Sequence, residues 1–184
     1  MSWGYAVLAF DSFAARDVRP SCKRDVEFYR VADAFGALAF LKSRRDVDGA
    51  RVSVLGFATG GIAALSAVEQ RDHEPFELPA DVQFRAAIAF SPVCVSEGAM
   101  LAPTLVLVGE LDDWSPVARC RFMVADSDGK GAPINLVVYP GAADAFGDAA
   151  LRPLRRHFGH FSAYNRAAAD DATTQVRDFL ARNR

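Results

Sequence analysis

The residues that could do chemistry gather first in Gly56-Phe57-Ala58-Thr59-Gly60-Gly61. An apolar run, Val52-Ser53-Val54-Leu55, leads into this turn, and the helix formers Ile62-Ala63-Ala64-Leu65 lead out of it. A buried strand, a glycine-flanked tight turn and a helix make the geometry of a nucleophile elbow, G-x-S-x-G. The apex residue of such a turn sits on strained backbone, so its neighbours must lack side chains that would clash. A serine or cysteine at the apex attacks a carbonyl and carries the acyl group. Here the apex is Ala58, and a methyl group cannot attack a carbonyl.

Other reactive side chains are weighed against plainer roles. Thr59 places a hydroxyl beside the apex, but as a substitute nucleophile it would point the wrong way. Ser53 belongs to the strand and is expected to be packed. His157 and His160 flank Phe158-Gly159. One of them could supply a base if that segment folds over the turn; otherwise both are surface or hydrogen-bonded structural histidines. His73 lies in a charged loop and is expected in solvent. Cys22, Cys94 and Cys120 are an odd number without metal-site spacing, so reduced, partly buried thiols are expected. Cys94 could line a pocket, but a catalytic thiol needs a neighbouring base and a lowered pKa, and neither is visible. Asp112, Asp113 and Asp144 lack a histidine partner, so no metal and no cofactor is expected. Glu110 is expected to pair with an arginine such as Arg119, and Trp114 to pack its loop.

The elements that must position these residues alternate along the chain. Tyr5–Phe10, Arg51–Leu55, Phe84–Phe90, Leu105–Val108 and Asn135–Tyr139 are continuous apolar runs, too short for buried helices and expected as strands. Between and after them lie helices over Val26–Lys42, from Gly60 to about Glu69, from Val117 to about Ala125, and from about Ala168 to Arg182. Residues 71–82 read as a charged surface loop, and residues 142–166 as a long irregular segment. Alternating strands and helices indicate an α/β fold with a parallel sheet.

The chain has 184 residues, 51% hydrophobic and 24% charged, with a formal net charge of −2. This suits one soluble domain, 1–184, with a sizeable core. The charge gives no reason to expect a nucleic-acid partner, and no run is long enough to span a bilayer. The N-terminus has no basic stretch followed by an apolar core, so a cytoplasmic protein without a signal peptide is expected.

Taken in order, several stretches resemble the dienelactone hydrolase family of the α/β-hydrolase fold. They are Gly4-Tyr5-Ala6-Val7-Leu8-Ala9-Phe10-Asp11-Ser12-Phe13, Leu55 to Gly61, Ala87-Ile88-Ala89-Phe90-Ser91-Pro92, Gly109 to Pro116, Val138-Tyr139-Pro140-Gly141-Ala142 and Gly159-His160. The resemblance implies an α/β-hydrolase-like fold with about five mostly parallel strands and helices on both faces. It implies hydrolysis of a lactone or carboxylic ester, and a small ester or lactone as ligand. It also implies three catalytic positions. The nucleophile position falls on Ala58. The acid, four residues before the proline that opens the next helix, falls on Asp112. The histidine position, ahead of an Ala-Phe pair, falls on Asp144. One of three roles is thus filled. An aspartate is a weak base at neutral pH, and beside Asp112 it should form a carboxylate pair with one raised pKa. Activity is therefore expected to be lost or very weak; the alternative is a non-catalytic binding or assembly protein.

The resemblance also implies that the family's N-terminal strands are lacking. One of their loops donates an oxyanion-hole amide, so the Thr59 N–H is left as the donor. The lacking strand would sit between the runs at residues 5 and 52. The helices after residues 5, 52 and 86 should share one sheet face, with the C-terminal helix alone on the other. An apolar face left bare favours a homodimer.

Overall fold

A computed structural model describes residues 3–16, 27–70, 82–95, 98–151, 155–157 and 159–184. Four apolar runs form one parallel sheet: β1 (Val54–Phe57), β2 (Ala87–Phe90), β3 (Thr104–Gly109) and β4 (Ile134–Tyr139), side by side in that order. Val54 lies opposite Ala87, Ala87 opposite Thr104, and Thr104 opposite Ile134. The strands therefore start level and end on a common rim. Every residue of β3 is buried, as a strand covered on both faces requires.

The two-residue period of a strand sends alternate side chains to two cores. Ala87, Ala89 and Val106 pack with Val31, Phe35 and Leu38 of α1 (Glu27–Ser43), Leu65 of α2 (Thr59–Ser66), and Cys120 and Met123 of α3 (Val117–Ser127). Ile88, Leu105 and Leu107 point the other way, onto Ala168, Ala172, Val176 and Phe179 of α4 (Arg166–Arg182). Asn165 caps α4, its side-chain oxygen accepting from the Ala168 N–H at 3.2 Å. The division of three helices on one face and the last on the other holds. The third helix of the first face follows β3, however, because no helix occurs after β2 among the described residues.

Three expectations are corrected. The run Tyr5–Phe10 is not a strand: it is extended, exposed and paired with no described strand, so the sheet has four strands rather than about five. A strand needs a neighbour to take its amides, and among the described residues β1 pairs only with β2. The segment expected to be irregular contains an antiparallel ribbon, β5 (Arg155–His157) with β6 (His160–Ser162). Cys94 and Cys120 are not separate thiols: they form a disulfide with Cα atoms 4.9 Å apart. Both lie on one core face, where α3 packs against the stretch after β2. Cys22 and His73 lie outside the described residues. Alkylation of the denatured protein without reductant should leave Cys94 and Cys120 unlabelled, and reductant should expose both; labelling of either beforehand contradicts the pairing. Among the described residues, no helix is long and apolar enough to cross a membrane.

Candidate active site

The rim of the sheet is where β1 turns sharply into α2. Ala58 stands between them at φ 49° and ψ −116°. Its N–H donates to the Phe90 carbonyl at 2.8 Å, and its carbonyl accepts from Ile62 N–H at 3.1 Å. Gly56 makes so tight a turn possible, because a Cβ there would overlap the Gly60 carbonyl. Ala58 itself is exposed. The Thr59 N–H opens α2, where first-turn amides have no partner within the helix.

A side chain held at positive φ costs on the order of 1–3 kcal/mol. The Ala58→Gly variant should therefore raise stability by about 1 kcal/mol in denaturant unfolding, since glycine relieves the strain but loses part of the gain to chain entropy. A variant less stable than the parent would show that the apex is not strained.

Asp112 is carried to the same rim by the turn that follows β3. Gly109 permits it: a Cβ there would overlap the Ala142 carbonyl, and Leu111 N–H donates to that carbonyl at 2.8 Å. Oδ1 of Asp112 accepts from the Ser115 and Trp114 amides at 2.7 and 3.1 Å. Asp112 is only 3% exposed, and its Oδ2 has no well-formed hydrogen bond. Burial pushes its pKa up to about 6, and the charge of Asp144 adds to the rise. The two amides and the nearby Ser91 hydroxyl pull the other way. Asp112 is thus raised chiefly by its burial, with the charge of Asp144 a smaller contribution.

Asp144 follows Ala142-Ala143, and its Oδ2 accepts from Ser162 Oγ at 2.8 Å. Backbone pairing of Asp144 with Ser162 fixes that contact, so the β5–β6 ribbon backs the site. His160, on the same ribbon, tilts against Trp114 with ring centroids 4.4 Å apart. Its Nδ1 stands 3.3 Å from Asp113 Oδ1 without a well-directed hydrogen bond. The His157 side chain lies outside the described residues. No imidazole is placed against a hydroxyl or thiol among the contacts of the described residues.

Ser91 was not anticipated as a site residue. It is 5% exposed, at φ 44°, with its Oγ lacking a well-formed hydrogen bond, and its carbonyl accepts from Ser115 Oγ at 2.8 Å. Its position at the C-terminal end of a parallel strand beside the elbow was a signal in the sequence. Ser162 had none, because its role depends on the ribbon. Among the described residues Glu110 is paired with no arginine: its Oε2 accepts from the Gly141 N–H at 3.0 Å. The Trp114 ring lies against His160 of the ribbon. No cluster of metal-holding side chains occurs among the described residues. A shallow cleft of about 340 Å3 lies on the α4 side, lined by Leu111, Ala143, Phe161, Ala163 and Tyr164 among others. Neither Ala58 nor Asp112 lines it.

The arrangement holds a buried carboxyl with a raised pKa at the rim and offers an amide at the start of α2. It presents no attacking atom at the apex.

A family model described as the dienelactone hydrolase family matches residues 4–183. No curated protein matches the chain. Among solved structures, esterase 2 of Thermogutta terrifontis phosphorylated by paraoxon is 23% identical, with a TM-score of 0.67 over 90% of this chain and 66% of that one. The same esterase phosphoramylated by tabun gives 22% and 0.65, covering 85% and 65%. A dienelactone hydrolase-like promiscuous phosphotriesterase from metagenomic libraries gives 18% and 0.64, covering 88% and 63%. At these identities the likeness is one of fold. The chain spans just under two thirds of their length.

Proposed function

We propose, for a chain that belongs to the dienelactone hydrolase family, that the family's hydrolysis of a lactone or carboxylic ester is lost or very weak here. The observation that carries this reading is Ala58 at the apex of a fully formed elbow. In the family's scheme the apex residue becomes acylated, a histidine moves its proton, and the acid orients the histidine. In this chain Asp112 keeps the acid's place, Asp144 stands in the histidine's, and Thr59 N–H remains as an oxyanion donor. Substrate carbonyls can still dock at such a rim, but no covalent intermediate forms on a methyl. Thermogutta terrifontis esterase 2 is phosphorylated by paraoxon; at this apex the same reagent would meet no oxygen.

A second reading, a non-catalytic binding or assembly protein, is favoured by the exposed apolar side chains of Leu55 and Phe57 on β1. The purified protein should turn over p-nitrophenyl acetate no faster than buffer. Turnover well above buffer that Asp112→Asn abolishes would overturn the loss of activity.

A further inference from the structure

The Cys94–Cys120 disulfide joins the two stretches that hold Asp112 at the rim. Cys94 follows Ser91-Pro92-Val93, where the chain leaves β2. Cys120 sits in the first turn of α3, which begins after Ser115-Pro116. Between the same two stretches Ser115 Oγ donates to the Ser91 carbonyl at 2.8 Å, and the Ser115 N–H donates to Asp112 Oδ1 at 2.7 Å. The sulfurs and the serines are thus two ties across one seam, and Asp112 is held by the second. Ser91 stands at that seam with φ 44°. Such a conformation persists in a serine only where the surroundings impose it.

The seam also suits the reduced pair. Both sulfurs lie near one acceptor, the Pro92 carbonyl, at 3.8 Å from Cys94 Sγ and 3.9 Å from Cys120 Sγ. A disulfide has no proton to donate to that oxygen, whereas each thiol has one. Two thiols need more room than two bonded sulfurs, so cutting the bond pushes α3 and the stretch after β2 apart. Cys94 is 5% exposed and Cys120 0%, which makes Cys94 the sulfur a thiolate reaches. A small dithiol balances the step: one of its sulfurs attacks Cys94 Sγ, and Cys120 leaves and takes a proton. The reagent's second sulfur then closes its own disulfide, and Cys94 leaves as the second thiol.

We propose that the Cys94–Cys120 pair is a redox switch for the rim: oxidised, it holds the Ser115 turn so that Asp112 is fixed; reduced, it lets that turn loosen while the sheet stays intact. The sheet does not depend on it, because the pairing of β3 with β2 and with β4 passes through neither cysteine. The switch is independent of whether the elbow is catalytic.

Amide hydrogen exchange at one pH, on the parent before and after treatment with a dithiol, tests it. The Ser115 and Trp114 amides, which donate to Asp112 Oδ1, should exchange at least about tenfold faster after reduction. They should slow again on reoxidation, and the Val106 and Leu107 amides of β3 should not change. Cys120→Ala should behave like the reduced parent with or without dithiol; if it fails to fold, the parent alone decides. Equal exchange of Ser115 and Trp114 in the two states overturns the proposal. So does equal acceleration of the β3 amides, which would make the bond a staple for the whole fold. A native protein whose pair resists excess dithiol, or a parent isolated without the bond, overturns it as well.

Discussion

Ala58→Ser combined with Asp144→His should give an esterase where the parent has none, at least about 10²-fold faster on p-nitrophenyl acetate. The serine hydroxyl lands on a backbone already bent for it, at φ 49°. The imidazole replaces the carboxylate whose charge helps raise Asp112, and Asp112 Oδ2, which has no well-formed hydrogen bond, is the atom available to orient it. A positioned general base contributes about 10²–10⁴ in rate, and the Thr59 amide at the start of α2 is placed to receive the developing oxyanion. The gain is therefore expected clearly above background. Neither substitution alone should suffice, because a serine without a base and a base without a nucleophile leave the proton and the acyl group without a path. Adding Asp112→Asn to the double variant should remove most of the gain. A double variant as inactive as the parent would mean that the three positions do not converge on one centre.

Asp112→Asn in the parent should stabilise the fold by as much as about 3 kcal/mol at neutral pH. The carboxyl titrates at about 6 in the folded protein against 3.8 for the free group, and each unit is worth about 1.4 kcal/mol. The sign follows from proton binding: between these two values the folded state holds more protons than the unfolded state. Stability is thus greatest at low pH as far as this group is concerned, falls as pH rises from about 4 to 6, and stays reduced above. Asparagine is neutral throughout, and its side-chain oxygen can keep the bonds from Ser115 and Trp114. Denaturant unfolding of parent and variant at several pH values reads the effect. The two should converge near pH 4 and differ most above pH 6; a variant less stable than the parent at pH 7 would contradict the burial of an unwelcome charge. A stability gain obtained by neutralising a site residue is the usual mark of a position retained for something other than folding.

Much of the architecture was legible because it rests on local pattern. The apolar runs at β3 and β4 and the three-to-four spacing of α1 mark their elements to within one residue, while the run at β2 begins three residues before its strand. The elbow was legible because only glycine fits at 56, whereas Asp112 and Asp144 were singled out by the resemblance to the family and not by local pattern. What stayed hidden depends on partners distant in sequence. Tyr5–Phe10 has a strand's composition but no strand beside it. The Cys94–Cys120 disulfide joins residues 26 apart through tertiary packing. Ser162 reaches Asp144 only once the β5–β6 ribbon has formed.

A strained elbow whose apex has nothing to attack with is the centre of this site. Intact-mass measurement of the parent protein after incubation with paraoxon tests this directly, with the Ala58→Ser, Asp144→His double variant treated alongside. The parent should keep its mass, while the double variant should gain one diethylphosphoryl group on residue 58. A stoichiometric adduct on the parent, mapped to Ser91, Thr59 or another side chain at the rim, would show that a working nucleophile is present and that its place had been wrongly given to Ala58.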